Sequence, residues 1–297
     1  MSKAKSRKSK FGCLRHVGMR ILQISPLLAC IILLASCGSK SDAGPTAIID
    51  QTRAPWQVLD LDTGTVTPQA SLPDLATDLR FRERLMAFRL VPNTSTLIGQ
   101  SPGTFARQSD EVLFSVQAAC YIGAFEITRA QWRRLSAVTP WTAPAIAAVE
   151  GTGGSETLPA TGLGHSLVAM TLANWNSSHP ARLAMPSPAQ WEIAARGGNG
   201  AIYPWGDDHR TSTVRRYAVT WETGLLDATS GPQPVGTRLA NGLGLYDFIG
   251  NAWELTSDGQ ARGGSWADSS AFARPANQRD VPDDGWATVG ARLIYLQ

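Results

Sequence analysis

Residues able to do chemistry gather in two stretches of the C-terminal third. Ala267–Thr288 reads ADSSAFARPANQRDVPDDGWAT, mixing carboxylates, amides, hydroxyls and guanidinium groups with one tryptophan. That is the chemistry of adaptable recognition loops on a rigid scaffold. Its candidate ligand contacts are Asp268, Ser269, Ser270, Phe272, Arg274, Asn277, Arg279, Asp283, Asp284 and Trp286, although Arg274 and Arg279 serve equally well as structural ion-pair donors. The second stretch, Asp247–Glu254 (DFIGNAWE), brackets a tight Gly-Asn turn with two carboxylates. Asp247 there either caps the turn or ligates a cation, and Glu254 either does the same or pairs with an arginine such as Arg262. Acid–base candidates across both stretches are Glu254, Asp268 and Asp280.

Other constellations are ruled out by type or spacing. Beyond the leader described below, the chain has only His165, His179 and His209, with no HExxH and no pair at helical ligand spacing. A two-histidine, one-carboxylate iron site is therefore not expected. His209 beside Asp207 and Asp208 reads as a solvated loop. Ser265 has no GxSxG elbow, and after Gly263-Gly264 it reads as a turn residue satisfying backbone groups. The glycine pairs match neither a P-loop nor GxGxxG, so no nucleotide site is expected.

Charge and cysteine use point to the cell envelope. The formal net charge of +3 hides a division. Residues 1–36 carry seven Lys or Arg and no acid, leaving −4 for the remainder, so a basic nucleic-acid-binding body is excluded. The basic run leads into Ile21–Ala35, too short for the roughly 20 apolar residues of a spanning helix and read as a signal-peptide core. Leu34-Ala35-Ser36-Cys37 looks like a bacterial lipobox, in which small residues fit the peptidase and the Cys37 thiol takes the lipid. Gly38 in place of Asp points to the outer membrane in a double-membraned bacterium, with the chain periplasmic or surface-exposed. Cleavage removes Cys13 and Cys30 and commits Cys37, so Cys120 alone remains a thiol and no intramolecular disulfide is available.

The elements that must position these residues are legible in part. Residues 1–36 form the leader, and 37–55 the lipidated terminus and a small, polar tether. Residues 56–84 form a short hairpin extension, with alternation over Trp56–Gln69 and a turn at Asp62-Thr63-Gly64. From Leu85 to Gln297 the chain reads as one domain. Thr128-x-x-Gln131 is a capping box, with Trp132, Leu135 and Val138 at helical spacing behind it. A second helix is expected over Ser166–Asn176, with Leu167, Met170 and Trp175 inward. A third has Ser187 as N-cap, Pro188 in its first turn, Gln190 three after the cap and Gly197 as stop. No helical period follows Gly198, where short aromatic pieces alternate with Gly, Pro and Asn. The ten tryptophans read mostly as core, with Trp286 placed to face a ligand.

Six elements, in order across about 210 residues, resemble the formylglycine-generating enzyme or sulfatase-modifying factor family. They are Phe125-Glu126-Ile127-Thr128-x-x-Gln131-Trp132, the run from Met185 to Gly198 (MPSPAQWEIAARGG), Tyr203-Pro204-Trp205-Gly206-Asp207, the run from Asn241 to Glu254, Arg262-Gly263-Gly264-Ser265-Trp266, and Gly290-x-Arg292. The resemblance implies an α+β, C-type lectin-like fold with few regular strands, about three helices and long ordered loops. It also implies a structural Ca²⁺ held by the Asp247 and Glu254 carboxylates and the Gly250 and Ala252 carbonyls, ligands suited to that hard cation. The family's other calcium site is broken at Val219. Its oxidases bind copper through cysteines two and seven residues past the motif tryptophan, and here those positions are Asp268 and Ala273. No copper and no formylglycine formation are therefore expected. The separate helical iron-binding domain of the family's sulfoxide synthases is absent too.

Ala267–Thr288 also resembles the variable region of lectin-fold proteins diversified by retroelements. The expected function is that of a lipid-anchored envelope protein binding a protein or glycan through its C-terminal loops. One alternative is a cysteine-less periplasmic oxidoreductase of the same family, acting in peptide or siderophore maturation. Another is a structural component of an envelope machine. Ligand identity, oligomeric state and docking of residues 56–84 stay open at this level.

Overall fold

Alternating and β-branched residues build the main sheet of the computed structural model, which describes residues 53–99, 112–116, 119–150 and 154–297. The leader, Cys37 and most of the tether lie outside the described residues. Strands β1 (Trp56–Asp60) and β2 (Thr65–Gln69) form the expected hairpin. Its turn closes by the Gly64 amide donating to the Asp60 carbonyl at 2.8 Å, with Gly64 at φ +70°. The hairpin is part of the main body. After the one-turn helix α1 (Arg80–Glu83), β3 (Leu85–Val91) pairs antiparallel with β1, placing Leu59 opposite Met86. Strands β4 (Thr94–Ile98) and β5 (Val112–Val116) make a separate antiparallel pair, and β6 (Cys120–Gly123) pairs with β3.

Helix α2 (Arg129–Leu135) begins at the Thr128–Gln131 capping box, with both reciprocal bonds formed at 3.1 Å. It ends before Val138, which is exposed and whose carbonyl accepts from the buried Trp132 indole. Helix α3 (Pro144–Glu150) follows, then α4 (His165–Ser178), which buries Val168, Thr171, Leu172 and Trp175. Met170 lies outside that stripe and is 60% exposed, correcting the inward assignment. After β7 (Arg182–Ala184), α5 (Pro188–Arg196) starts at the Ser187–Gln190 capping box and stops at Gly197, in the left-handed region at φ +60°.

Two more helices correct the sequence reading beyond Gly198: α6 (Thr211–Tyr217) and α7 (Trp221–Asp227). Each spans seven residues, as α2 does, but neither carries the Ser/Thr-x-x-Gln box that marked α2, and α7 is set instead by reciprocal Thr220–Thr223 capping. Seven α-helices stand among the described residues where about three were expected.

The last third supplies β8 (Trp253–Leu255), β9 (Gln260–Arg262), β10 (Gln278–Asp280), β11 (Val289–Ala291) and β12 (Ile294–Leu296). The large antiparallel sheet runs β2-β1-β3-β6-β12-β7, so strands from both ends of the described chain share it. A four-stranded sheet runs β10-β9-β8-β11, with β8 and β11 parallel. Leu59, Phe88, Tyr121, Trp132, Trp175 and Trp253 pack in one core, and Trp56, Ile122, Phe125, Trp191 and Phe248 in another. Among the described residues no helix is long and apolar enough to cross a membrane.

Candidate functional site

Period-two alternation along β8 divides the chemistry. Trp253 and Glu254 are neighbours, so their side chains leave opposite faces of the four-stranded sheet. One face meets a buried ionic cluster and the other an open pocket.

In the ionic cluster, Glu254 receives two prongs from Arg292: Nη2 donates to Oε1 at 2.6 Å and Nε to Oε2 at 2.9 Å. The Trp191 indole of α5 donates to the same Oε2 at 2.5 Å. Arg262, the partner weighed from sequence, instead meets Glu192 at 3.1 Å, beside the Glu192–Arg196 pair of α5. Glu126 accepts from the Ala252 amide at 2.8 Å and the Asn251 side chain at 2.6 Å. The turn between is tight, with Asp247, Gly250 and Asn251 all at positive φ. A Cβ on Gly250 would lie 2.0 Å from the Val219 carbonyl oxygen, so glycine is required there.

Asp247 accepts the Gly236 amide at 2.5 Å through Oδ2, and burial pushes its carboxyl up to about 6. Burial, with Asp247 and Glu254 nearby, also holds Glu126 well above the ordinary carboxylate range. Three buried carboxylates thus face Arg292, with Arg82 contributing to Asp247 from further away. This shortage of positive charge and the oxygen-donor chemistry suit a calcium ion. Glu254 is the exception, since both its oxygens already hold Arg292. Among the described residues, no group of three or more His, Cys, Asp or Glu is arranged as a ready-made metal cage.

On the opposite face lies a pocket of about 500 Å³, open to solvent on one side. Strands β8 and β10 supply Trp253, Gln278, Arg279 and Asp280; the connection between β9 and β10 supplies Asp268, Phe272 and Asn277; Trp286 comes from the loop after β10. Asp268 is locked in place. Its Oδ2 accepts from the Trp253 indole (2.8 Å), the Ser265 amide (3.0 Å) and the Ser265 hydroxyl (2.5 Å). Ser265 is therefore a turn-builder, as its sequence context suggested. Arg279 lies over the Trp286 ring at 4.2 Å and the Trp253 ring at 5.3 Å, contacts worth about 0.5–2 kcal/mol each. Trp286 remains 38% exposed and Phe272 42%, so both present apolar surface to an incoming molecule.

The Trp286 loop is held from outside. Ser166, in the first turn of α4, donates its amide to Asp283 Oδ1 at 2.9 Å and its hydroxyl to Oδ2 at 2.7 Å. These bonds keep the Asp283 carboxyl below the ordinary aspartate range. The Gly162 amide donates to the Trp286 carbonyl at 3.1 Å. A Cβ on Gly164 would fall 1.9 Å from the Asp283 carbonyl oxygen, and one on Gly285 2.5 Å from that of Gly162. Backbone meets backbone here without room for a side chain.

Residues 90–296 match the family model described as a sulfatase-modifying factor enzyme 1-like domain. The chain belongs to this family. Its sulfatase-modifying factor domain is 44% identical over 80 residues to a formylglycine-generating enzyme of Mycobacterium tuberculosis, an alignment covering 25% of this chain and 26% of the relative. It is 37% identical over 114 residues to the formylglycine-generating enzyme of Thermomonospora curvata, covering 35% and 36%. It is also 36% identical over 127 residues to the inactive C-alpha-formylglycine-generating enzyme 2 of Bos taurus, covering 36% and 42%. The chain thus spans well under half of these curated relatives. In fold, the domain is similar to PvdO from Pseudomonas aeruginosa (TM-score 0.61, 21% identity, 71% of this chain and 94% of that one). It is likewise similar to Treponema denticola variable protein 1 (TM-score 0.59, 15% identity, 71% and 95%). The α+β fold expected from the motifs is the one observed.

Of the residues singled out from sequence, the sulfatase-modifying factor domain brings Asp268, Phe272, Asn277, Arg279, Asp280 and Trp286 to one pocket. Others fall elsewhere. Glu254 faces Arg292, on the far side of β8. Arg274 is buried at 3% exposure, where desolvation lowers its pKa beside Tyr203, so it is a core group and no ligand contact. Asp283 is used by Ser166. The Ser270 amide donates to Glu222 of α7, and the Ser269 carbonyl accepts from the Phe272 and Ala273 amides. Asp284 is exposed beyond the pocket lining. Trp253 and Gln278 were missed; Trp253 was legible as the alternate neighbour of Glu254, whereas Gln278 gave no signal. Cys120 is buried in β6, where burial pushes its thiol up to about 12.

Proposed function

We propose that this sulfatase-modifying factor domain is carried on an envelope lipoprotein, anchored through Cys37, and that it binds a protein or glycan ligand in the Asp268–Trp286 pocket without making formylglycine. The observation carrying this reading is the state of the two positions matched to the family's cysteines. Asp268 is committed to Trp253 and Ser265. Ala273 is fully buried, packed where a Cβ on Gly264 would lie 2.7 Å from its own Cβ. Neither position offers a thiolate, and the Cys120 thiol is held protonated by burial. What remains is a solvent-open pocket with fixed polar groups and two exposed aromatic rings, which suits recognition.

A structural Ca²⁺ belongs to this proposal. Asp247 and the peptide oxygens of Gly250 and Ala252 would hold it, with Glu254 a ligand only if shared with Arg292. Bound there, the ion would neutralise buried charge and stiffen the turn leading into β8. No step of ligand binding passes through it.

One observation favours the oxidoreductase alternative: the pocket contains two carboxylates, Asp268 and Asp280, beside tryptophan. The absence of formylglycine formation is tested by incubating the purified protein with a sulfatase-type CxPxR peptide and following its mass. An unchanged peptide, together with a diacylglyceryl-modified Cys37 in material from the native membrane, is the expected result. Saturable oxidation of the peptide cysteine would overturn the reading that this domain makes no formylglycine.

A further inference from the structure

Helix α7 carries large apolar side chains on its outer face. Trp221 is 56% exposed, Leu225 64% and Leu226 57%, and Leu239, bonded through its backbone to α6, is 47% exposed. Scattered exposed leucines need no explanation, but several on one short helix and its neighbour do. Hydrogen bonds and ion pairs tie together the elements that carry these side chains. Asp227, ending α7, accepts from Arg215 of α6 at 2.6 Å and from Arg238 at 2.6 Å. The Leu239 amide donates to the Arg216 carbonyl at 2.8 Å. Thus α6, α7 and residues 238–239 form one unit.

Both carboxylates of α7 are turned away from its outer face. Glu222 accepts from the Ser270 amide at 3.0 Å and the Thr220 hydroxyl at 3.0 Å. Asp227 is shared by two arginines, which hold its carboxyl below the ordinary range. The side chain of Arg215 is 50% exposed, and Arg216, also exposed, lies 5.7 Å from the Tyr217 ring. The outer surface of α7 therefore shows one tryptophan and two leucines, flanked by an excess of guanidinium over carboxylate. A bilayer interface suits that combination: the indole sits at headgroup depth, leucines enter the acyl boundary and arginines meet lipid phosphate.

We infer that the α7 ridge of Trp221, Leu225 and Leu226, flanked by Arg215 and Arg216, lies on the surface of an anionic phospholipid bilayer. The Cys37 reading supplies the reason a membrane is close, and the inference rests on that reading to this extent. The ridge also sets the direction of the ligand pocket. The Trp221 amide donates to the Asp268 carbonyl at 2.9 Å, so a seated ridge brings the Asp268 side of the pocket next to the lipid headgroups.

The test uses the full chain reconstituted into phosphatidylethanolamine–phosphatidylglycerol vesicles with brominated acyl chains, which quench tryptophan at the membrane. Residues 1–55 contain no tryptophan, so the leader and tether contribute no signal. The expected result is quenching that is lost in Trp221→Phe and at least halved in the Leu225→Ser/Leu226→Ser variant, whose altered side chains are exposed and leave the core intact. Quenching equal in parent and Trp221→Phe would overturn the inference. So would a self-association in detergent that disappears in the double-serine variant, because the ridge would then seat a second copy. The mass of Cys37 in the same sample separates the two readings. Trp221-dependent quenching with an unmodified Cys37 would leave the ridge assignment standing and the anchor reading fallen.

Discussion

Arg292, one residue before the last core leucine, reaches back to Glu254 and grips both its oxygens at 2.6 and 2.9 Å, with both side chains shielded from water. The same guanidinium donates to the Gly123 carbonyl at 2.9 Å and the Tyr246 carbonyl at 2.7 Å, and stands 3.8 Å from the Phe248 ring. One side chain therefore joins β6, β8 and the approach to the 247–251 turn.

Arg292→Leu should leave Glu254 charged and buried without its counter-ion. A loss of about 3–5 kcal/mol is expected in urea unfolding. Adding Glu254→Gln should restore a substantial part of it, because the uncompensated charge is removed. Equal stability of the single and double variants would show that shape, and not charge, is the larger contribution.

Calcium should raise the melting temperature and a chelator reverse the rise. An ion at 100 times its dissociation constant stabilises by about 2.7 kcal/mol. Asp247→Asn should abolish the response. Glu254→Gln should weaken it less, since Glu254 is already held by Arg292.

Cys120 should resist alkylation in the folded protein at pH 8 and react fully after denaturation. Its folded pKa, raised from 9.0 to about 12, means the fold disfavours the thiolate. The unfolded chain loses the proton first as pH rises, so stability declines between those two values and is unaffected below them. Rapid iodoacetamide labelling of native protein at pH 8 would contradict the buried placement.

The Asp283 clasp should open in acid. Its folded pKa is depressed, so its contribution is fully present above the ordinary value of 3.8 and disappears as pH falls through the lower folded value. Asp283→Ala should mimic acid at neutral pH. Acrylamide quenching of Trp286, with Trp286→Phe as the blank, should rise in the variant without a change in global unfolding.

The sequence was most readable where a local rule acts alone. The capping boxes at Thr128 and Ser187, the Gly197 stop and the Gly64 turn each follow from a few neighbouring residues, and all four are found. The motif series carried the fold. Helices α6 and α7 were missed because neither carries the Ser/Thr-x-x-Gln box that marked α2 and α5; burial of Val214 holds α6, which has no side-chain cap, and Thr220–Thr223 capping with burial of Thr223 holds α7. In the recognition stretch, composition identified the segment but not its directions. Arg274 and Arg279 look alike in sequence, yet one is buried beside Tyr203 and the other lies between two tryptophans at the pocket. Arg292 was noted as part of a motif, but its partner stands 38 residues away, and no local pattern names it.

The close approach of residues 162–164 to residues 283–285 has a bearing on how this surface can change over generations. The contact is made by main-chain atoms, two glycine positions and one serine–aspartate clasp, while the exposed rings of Phe272 and Trp286 take no part in it. Altering those two exposed rings would rewrite what is recognised and leave the frame standing. Replacing Gly164 or Gly285 would do the reverse, spoiling every specificity at once. Selection for new partners can therefore act on the facing rings freely, with the backbone contact points held fixed.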